Sequence, residues 1–281
     1  MPTSIEAGLL VLYALVVWWG ATGLILVLNR RPERTYRASL IGASMLACAG
    51  MFAVVATRDM DNITGALIGF TGALAIWALI EMLFLMGALV GTHREAAHSN
   101  EIEWSRFKRA SLAIAHHEAA LIVALGTLAV LLYGSANPTA LWTFALLWLM
   151  RLSTKLNIFF GVPNTAAELL PPRISYLRSY FRTARPSAFF PASVAAAAAT
   201  SLFIYLAISS PEATPLTVAA GTLLLTFAVL GLVEHLMLIA PFSSSAFWDW
   251  RTPRRASQSS SIDTSKPLGP TQCANDTGGR P

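Results

Sequence analysis

The chain has 281 residues, of which 55% are apolar and only 12% charged, with 20 Lys and Arg against 15 Asp and Glu. Soluble domains carry about a quarter charged residues, so this composition excludes an ordinary soluble fold. The two cysteines, Cys48 and Cys273, fall in an apolar run and in the polar tail, which excludes a disulfide framework or a metal-thiolate motif.

Seven apolar blocks recur, each near or above the length that crosses about 30 Å of hydrocarbon. They predict spans over Glu6–Leu28, Ala38–Thr57, Ile63–Gly91, Ser111–Tyr133, Thr139–Phe160, Ala192–Ser209 and Pro215–Ala240. The first is not a signal peptide by pattern: Met1-Pro-Thr-Ser-Ile-Glu6 carries no positive charge, and the run behind it is too long for an h-region. It holds Trp18-Trp19 and then Gly20-Ala-Thr-Gly23, read as a helix-packing surface, with an aromatic wall for a ring-shaped ligand as the alternative. Asn29-Arg-Arg-Pro32 marks the first turn. Span three contains Gly65-xxx-Gly69 and Gly87-xxx-Gly91, both spacings at which helices approach closely, and one charge, Glu81, a turn from Trp77. Loop 92–110, with His93, Glu95, His98, Glu101 and Glu103, reads as solvated.

Span four carries His116-His117-Glu118; neighbours on a helix point about 100° apart, so at most two of the three face one pocket. Span five follows the Asn137-Pro138 turn and places Arg151 and Lys155 at i, i+4 on one face, with Asn157 beyond. In loop 161–190, Pro171-Pro172 is expected to start a helix over 172–185. Ile174, Leu177, Tyr180 and Phe181 would form its apolar face, and Arg178, Arg182 and Arg185 the opposite one. That is the pattern of a helix lying in the membrane interface or docking another membrane protein through Arg173, Arg178, Tyr180, Phe181 and Arg182. Span six is alanine-rich over Ala195–Ala199. Span seven ends on Glu234-His235, followed by Pro241-Phe242 and by Trp248 and Trp250, suited to the headgroup level. Residues 1–250 form the expected seven-helix domain, and 251–281, rich in Ser, Thr, Gly and Pro, a disordered cytoplasmic tail. No internal repeat is present.

Positive charge sets the orientation. With the N-terminus outside and the C-terminus in the cytoplasm, 17 of the 18 Lys and Arg residues outside the spans fall inside, Arg58 alone being outside. The pI near 9.6 then reflects orientation and anionic lipid, not nucleic acid.

Glu81, Glu118, Arg151, Lys155 and Glu234 lie about 8–15 Å from the cytoplasmic ends of these spans, by 1.5 Å per residue. Each isolated charge at depth costs about 2.5–3.5 kcal/mol, so pairing is the cheapest account of their coincidence. A structural ion-pair network is one reading. A ligand site is another, with His117 or His235 on the Mg of a chlorin, or Arg151 and Lys155 holding a propionate or phosphate. A metal-dependent enzyme using Glu81, His117, Glu118, Glu234 and His235 is a third. Against the last, there is no Glu-x-x-His pair, His-Glu-x-x-His, Gly-x-Ser-x-Gly or phosphate loop.

Several blocks together resemble the photosynthetic complex assembly protein 2 family, the PuhE-type membrane proteins of purple photosynthetic bacteria. They are Trp18-Trp19-Gly-Ala-Thr22-Gly23, Trp77-Ala-Leu-Ile-Glu81-Met-Leu-Phe-Leu-Met-Gly87 and His117-Glu118. Above all there is Arg151-Leu-Ser-Thr-Lys155-Leu-Asn157-Ile-Phe-Phe-Gly161-Val-Pro163-Asn164, followed by Leu-Pro-Pro-Arg173 and Ser179-Tyr-Phe-Arg182; Phe190-Pro191-Ala-Ser193 closes the match. The resemblance covers about residues 8–245. It implies a multi-pass factor of the bacterial cytoplasmic or intracytoplasmic membrane that helps build the reaction centre and core light-harvesting complex. Its expected partners are lipids, subunits of those complexes or other assembly factors, and bacteriochlorophyll or a precursor is the one cofactor it suggests. No catalytic residue is carried over. A pigment-modifying or metal-dependent membrane enzyme is the alternative.

Overall fold

The helix Ile63–Leu85 (α3) is the axis about which the others pack. Apart from Glu81 it carries no charge, and Gly65, Ala66, Gly69, Gly72, Ala73 and Ala75 keep it thin enough for neighbours to approach closely. Around it stand α1 (Ser4–Asn29), α2 (Tyr36–Ala56), α4 (Glu103–Leu131), α5 (Thr139–Phe160) and α7 (Pro215–Met237), with α6 (Phe189–Ile208) packed on α7. The computed structural model describes residues 4–98 and 102–240, all of them within one compact unit, Met1–Ala246. Glu101, Pro241-Phe242, Trp248, Trp250, Cys273 and the tail 251–281 lie outside the described residues.

Among the described residues the secondary structure is helical without strands, apart from one isolated bridge between Val162 and Thr183. Six helices among the described residues are long and apolar enough to cross a membrane, the pattern of a multi-pass membrane protein. The remaining long helix, α5, has spanning length, but Arg151 and Lys155 dilute its hydropathy.

Local chemistry sets the helix ends. The Asn62 side chain accepts from Gly65 N at the start of α3, and Thr214 accepts from Thr217 N at the start of α7, with Pro215 in the first turn. The expected span Ile63–Gly91 is corrected: α3 stops at Leu85 because Gly87 takes φ +76, and Ala88 and Leu89 both turn back to donate to Leu83 O. Gly87-xxx-Gly91 is therefore a turn and a loop, not a helix interface. Gly65-xxx-Gly69 does lie at a close approach, with a Cβ on Gly69 3.1 Å from Thr139 Cβ on α5. The α2–α3 contact is closer still, Gly72 lying where a Cβ would come within 2.5 Å of Val54 Cγ2. On the other side of the axis, Phe70 and Phe227 pack edge-on in a core that also takes Leu10, Ala14 and Leu223.

Loops 29–35, 86–98 and 161–188 gather at one end of the bundle. Arg173 donates to Glu33 and to Met86 O, Tyr180 OH donates to Glu95 O, and Asn164 donates to Met237 O and Leu238 O. At the opposite end, Asn137 donates to Thr57 O and Arg58 O, while Arg58 donates to Leu131 O and Tyr133 O.

The segment expected to be an interfacial helix over 172–185 is a 3₁₀ coil over Pro172–Tyr180, broken at Ile174 (φ −117, ψ 19). Its apolar side chains do not lie in acyl chains: Ile174, Leu177 and Tyr180 are buried against Phe84, Val90 and Ala113, where α3 and α4 meet. The packing gain against protein outweighs the amphipathic spacing, which two prolines and a 3₁₀ repeat cannot hold in register.

Arg173 fastens this coil to the α1–α2 turn through Glu33, at 2.8 Å from its Nε, and holds the Glu33 carboxyl below its ordinary value of 4.5. A lowered folded value means the clamp contributes fully above the ordinary carboxylate range and is lost as pH falls through that lowered value. Melting curves are expected to fall less steeply for Glu33→Gln than for the wild type as pH drops below the ordinary carboxylate range, the other paired carboxylates contributing equally to both.

Candidate functional site: a polar layer across four helices

The charges that the sequence places in separate spans meet. Arg151 on α5 lies between α7 and α3, with Nη1 2.9 Å from Glu234 Oε1 and Nη2 3.4 Å from Glu81 Oε1. One helical turn on, Lys155 Nζ is 2.5 Å from Glu118 Oε1 on α4, whose Oε2 accepts from Trp148 Nε1 at 3.2 Å. Trp148, Arg151 and Lys155 recur at i, i+3, i+7, so one stripe of α5 supplies all three donors. The side chains of Glu81 and Glu118 are 14% and 18% exposed, those of Arg151 and Glu234 41% and 36%. The layer is buried on its α3–α4 side and open on its α5–α7 side.

A neutral network adjoins it. His235, fully buried, donates from Nδ1 to Gly231 O at 2.7 Å, which leaves Nε2 to accept from Ser153 Oγ at 2.9 Å. Asn157, also fully buried, donates through Nδ2 to Ser153 O and to Ser193 Oγ on α6. Sequence reasoning named Asn157 and His235 but missed Ser153, Trp148 and Ser193. The signals available for them were Ser153 four residues before Asn157, and Trp148 three before Arg151.

His117 stands apart. Its ring is 1% exposed, lies 4.3 Å from the Phe84 ring by centroids, and neither nitrogen makes a hydrogen bond; Nε2 comes only within 3.9 Å of Glu81 Oε2. His116 beside it is exposed.

These histidines do not fit the magnesium of a chlorin. Such a metal takes an imidazole nitrogen with a free lone pair and needs an open face for the macrocycle. Both nitrogens of His235 are committed, and the His117 ring is 1% exposed with both nitrogens buried, so no open space beside them admits a macrocycle. Among the described residues no group of three or more His, Cys, Asp or Glu side chains is placed to hold a metal ion. Of the five residues expected to form a docking face, Tyr180 is buried, Phe181 is partly buried and Arg173 holds Glu33. Arg182 pairs with Glu103 at 3.0 Å, and Arg178 is exposed with a bond to Leu170 O.

A family model described as "Protein of unknown function (DUF3623)" matches residues 4–259. The chain belongs to the DUF3623 family. A relative described as "Uncharacterized 30.4 kDa protein in puhA 5'region", from Rhodobacter capsulatus, is 34% identical over 251 residues, covering 87% of this chain and 90% of that one. No solved structure matches.

Within this DUF3623 chain, Ser153→Ala would leave His235 Nε2 a buried acceptor without a donor. The expected cost is about 1–2 kcal/mol in a thermal or denaturant melt. Thr127→Ala, which removes only an exposed hydroxyl bonded to its own helix at Val123 O, is expected to change little.

Proposed function

We propose that this DUF3623 chain is an integral membrane assembly factor for the photosynthetic reaction centre and its core light-harvesting complex, acting through helix contacts and not through chemistry of its own. The observation that carries the reading is the relative in Rhodobacter capsulatus, described as lying in the 5' region of puhA and similar over most of both chains. The PuhE-type resemblance of the blocks at 18–23, 77–87 and 151–182 points the same way.

The reading takes all seven long helices across the bacterial cytoplasmic or intracytoplasmic membrane, with the N-terminus outside. Twelve of the described Lys and Arg residues outside the polar layer belong to the end built from loops 29–35, 86–98 and 161–188 and the adjoining helix turns, and Arg58 to the other, which supports that orientation. Helix α5 crosses because Glu81, Glu118 and Glu234 neutralise its two cations. The polar layer is a lock that fixes α3, α4, α5 and α7 in one arrangement. The partner, a subunit of the complex or another assembly factor, meets the bundle at the loop end, where Arg178 and Arg185 are exposed.

A deletion strain assayed separately for total pigment and for assembled reaction-centre complex tests this. The expected result is assembled complex reduced about tenfold or more with pigment precursors still made. Assembled complex at the wild-type level ends the reading, and loss of pigment ahead of complex transfers it to a pigment-modifying enzyme.

A further inference from the structure

Outside the polar layer, one surface combines two chemistries. A shallow groove of about 600 Å³ runs along one face of α2, lined by Arg37, Leu40, Ile41, Ser44, Met45 and Cys48. These positions recur at i, i+3, i+4, i+7, i+8 and i+11, so the groove follows the helix axis, and apart from Arg37 its lining is apolar or weakly polar. Gly42 beside it has nothing within 4 Å of where a Cβ would stand, which keeps that flank open.

The upper end of the groove is strongly basic. Arg30, Arg31, Arg34 and Arg37 lie on the α1–α2 turn and the first turns of α2, all are exposed, and none makes a side-chain ion pair or hydrogen bond among the described residues. The one acid there, Glu33, is taken by Arg173. By contrast, Arg106, Arg109, Arg173 and Arg182 at the same end all have partners on their own chain.

Length decides what fits. From Arg37 to Cys48 the groove is about 16 Å long at 1.5 Å per residue, close to half of the roughly 30 Å hydrocarbon core. A groove one leaflet deep, apolar along its length and cationic at its mouth, matches an amphiphile with one negative head and a linear tail. We propose that it holds an acyl chain of an anionic glycerophospholipid, with the phosphate against Arg34 and Arg37. This site is independent of the assembly role and of the polar layer.

Native mass spectrometry of the full-length protein in detergent, titrated with phosphatidylglycerol or phosphatidylcholine, reads it directly. Phosphatidylglycerol is expected to bind about 25-fold more tightly, and Arg34→Gln with Arg37→Gln to remove that preference, at about fivefold per arginine. Ser44→Trp, which fills the groove, is expected to weaken both lipids. Arg178→Gln with Arg185→Gln, the same charge change elsewhere at that end, is expected to leave the preference intact; a melting curve on each variant confirms that it is folded. Equal binding of the two lipids overturns the site outright, and an equal effect of the Arg178 and Arg185 pair overturns it in favour of diffuse surface charge. Efficient Cys48-to-Cys48 crosslinking between copies in native membranes, in a Cys273→Ser background, overturns it in favour of a second copy of the chain on this face.

Discussion

Arg151→Met is expected to destabilise the folded bundle by about 3 kcal/mol, read as a lowered melting temperature in detergent and as reduced accumulation in the membrane. The guanidinium serves two carboxylates on different helices, Glu234 at 2.9 Å and Glu81 at 3.4 Å. Removing it leaves both charges facing each other without a cation. Breaking a fully buried pair costs about 3–5 kcal/mol; the lower end applies here because the Arg151 side chain keeps 41% of its surface. The diagnostic variant adds Glu81→Gln and Glu234→Gln to Arg151→Met. It is expected to recover most of the loss, because it is the orphaned charge and not the missing attraction that destabilises. Arg151→Lys should recover little, since a single ammonium cannot span two carboxylates from one position as a planar fork does. If Arg151→Met melts with the wild type, the layer does not lock these helices.

The helical architecture was legible because apolar run length responds to one dominant force. All seven predicted segments are helices, and Thr139–Phe160 agrees at both ends. Where boundaries moved, backbone geometry or polar packing outvoted hydropathy. The run Ile63–Gly91 continues apolar through Met86, Ala88, Leu89 and Val90, yet Gly87 at φ +76 ends the helix. Those residues are used instead to dock a loop, Met86 and Val90 at 2% exposure each. At α4 the error ran the other way. Trp104 and Phe107 stack and Arg106 lies over Phe159, so the helix starts at Glu103, well before the apolar run at Ser111.

The polar layer was legible in outline for a related reason. Charges are so costly within apolar helices that their mere presence implies mutual contact, and Arg151 and Lys155 do reach carboxylates on three other helices. What could not be read was the division of labour. Nothing in the spacing says that Lys155 takes Glu118 while Arg151 takes Glu81 and Glu234, because helix rotation decides which partner each cation meets. Nor does the sequence reveal that His235 is committed through Ser153 and Gly231 while His117 is not. The short helix expected over 172–185 is present as a 3₁₀ helix over Pro172–Tyr180, but its apolar face packs on protein, because amphipathic spacing is shared by segments lying on lipid and by segments lying on protein. Only the buried surface waiting at Phe84, Val90 and Ala113 distinguishes them.

That loop docking carries the second large effect. Gly91 N donates to Ala113 O at 2.8 Å, which brings the 86–98 loop against the backbone of α4 itself. A Cβ on Gly91 would stand 1.6 Å from Leu112 O and 2.6 Å from the carbonyl carbons of Leu112 and Ala113. Those atoms belong to a hydrogen-bonded helix and cannot move aside as a side chain would. Gly91→Ala must therefore push the loop away, breaking the bond to Ala113 and uncovering Val90. The Tyr180–Glu95 and Arg173–Met86 contacts that hold the 172–180 coil weaken with it. The expected cost is about 3 kcal/mol or more, with faster tryptic cleavage at Arg94. Gly8→Ala and Gly20→Ala, in helix α1 with nothing within 4 Å, are expected to be neutral or to stabilise by about 0.5–1 kcal/mol. The Glu81–Arg151 pair belongs to the helices and not to this loop, so Gly91→Ala and Arg151→Met should add in a double variant. A loss clearly smaller than the sum would mean that the loop end and the polar layer are energetically coupled.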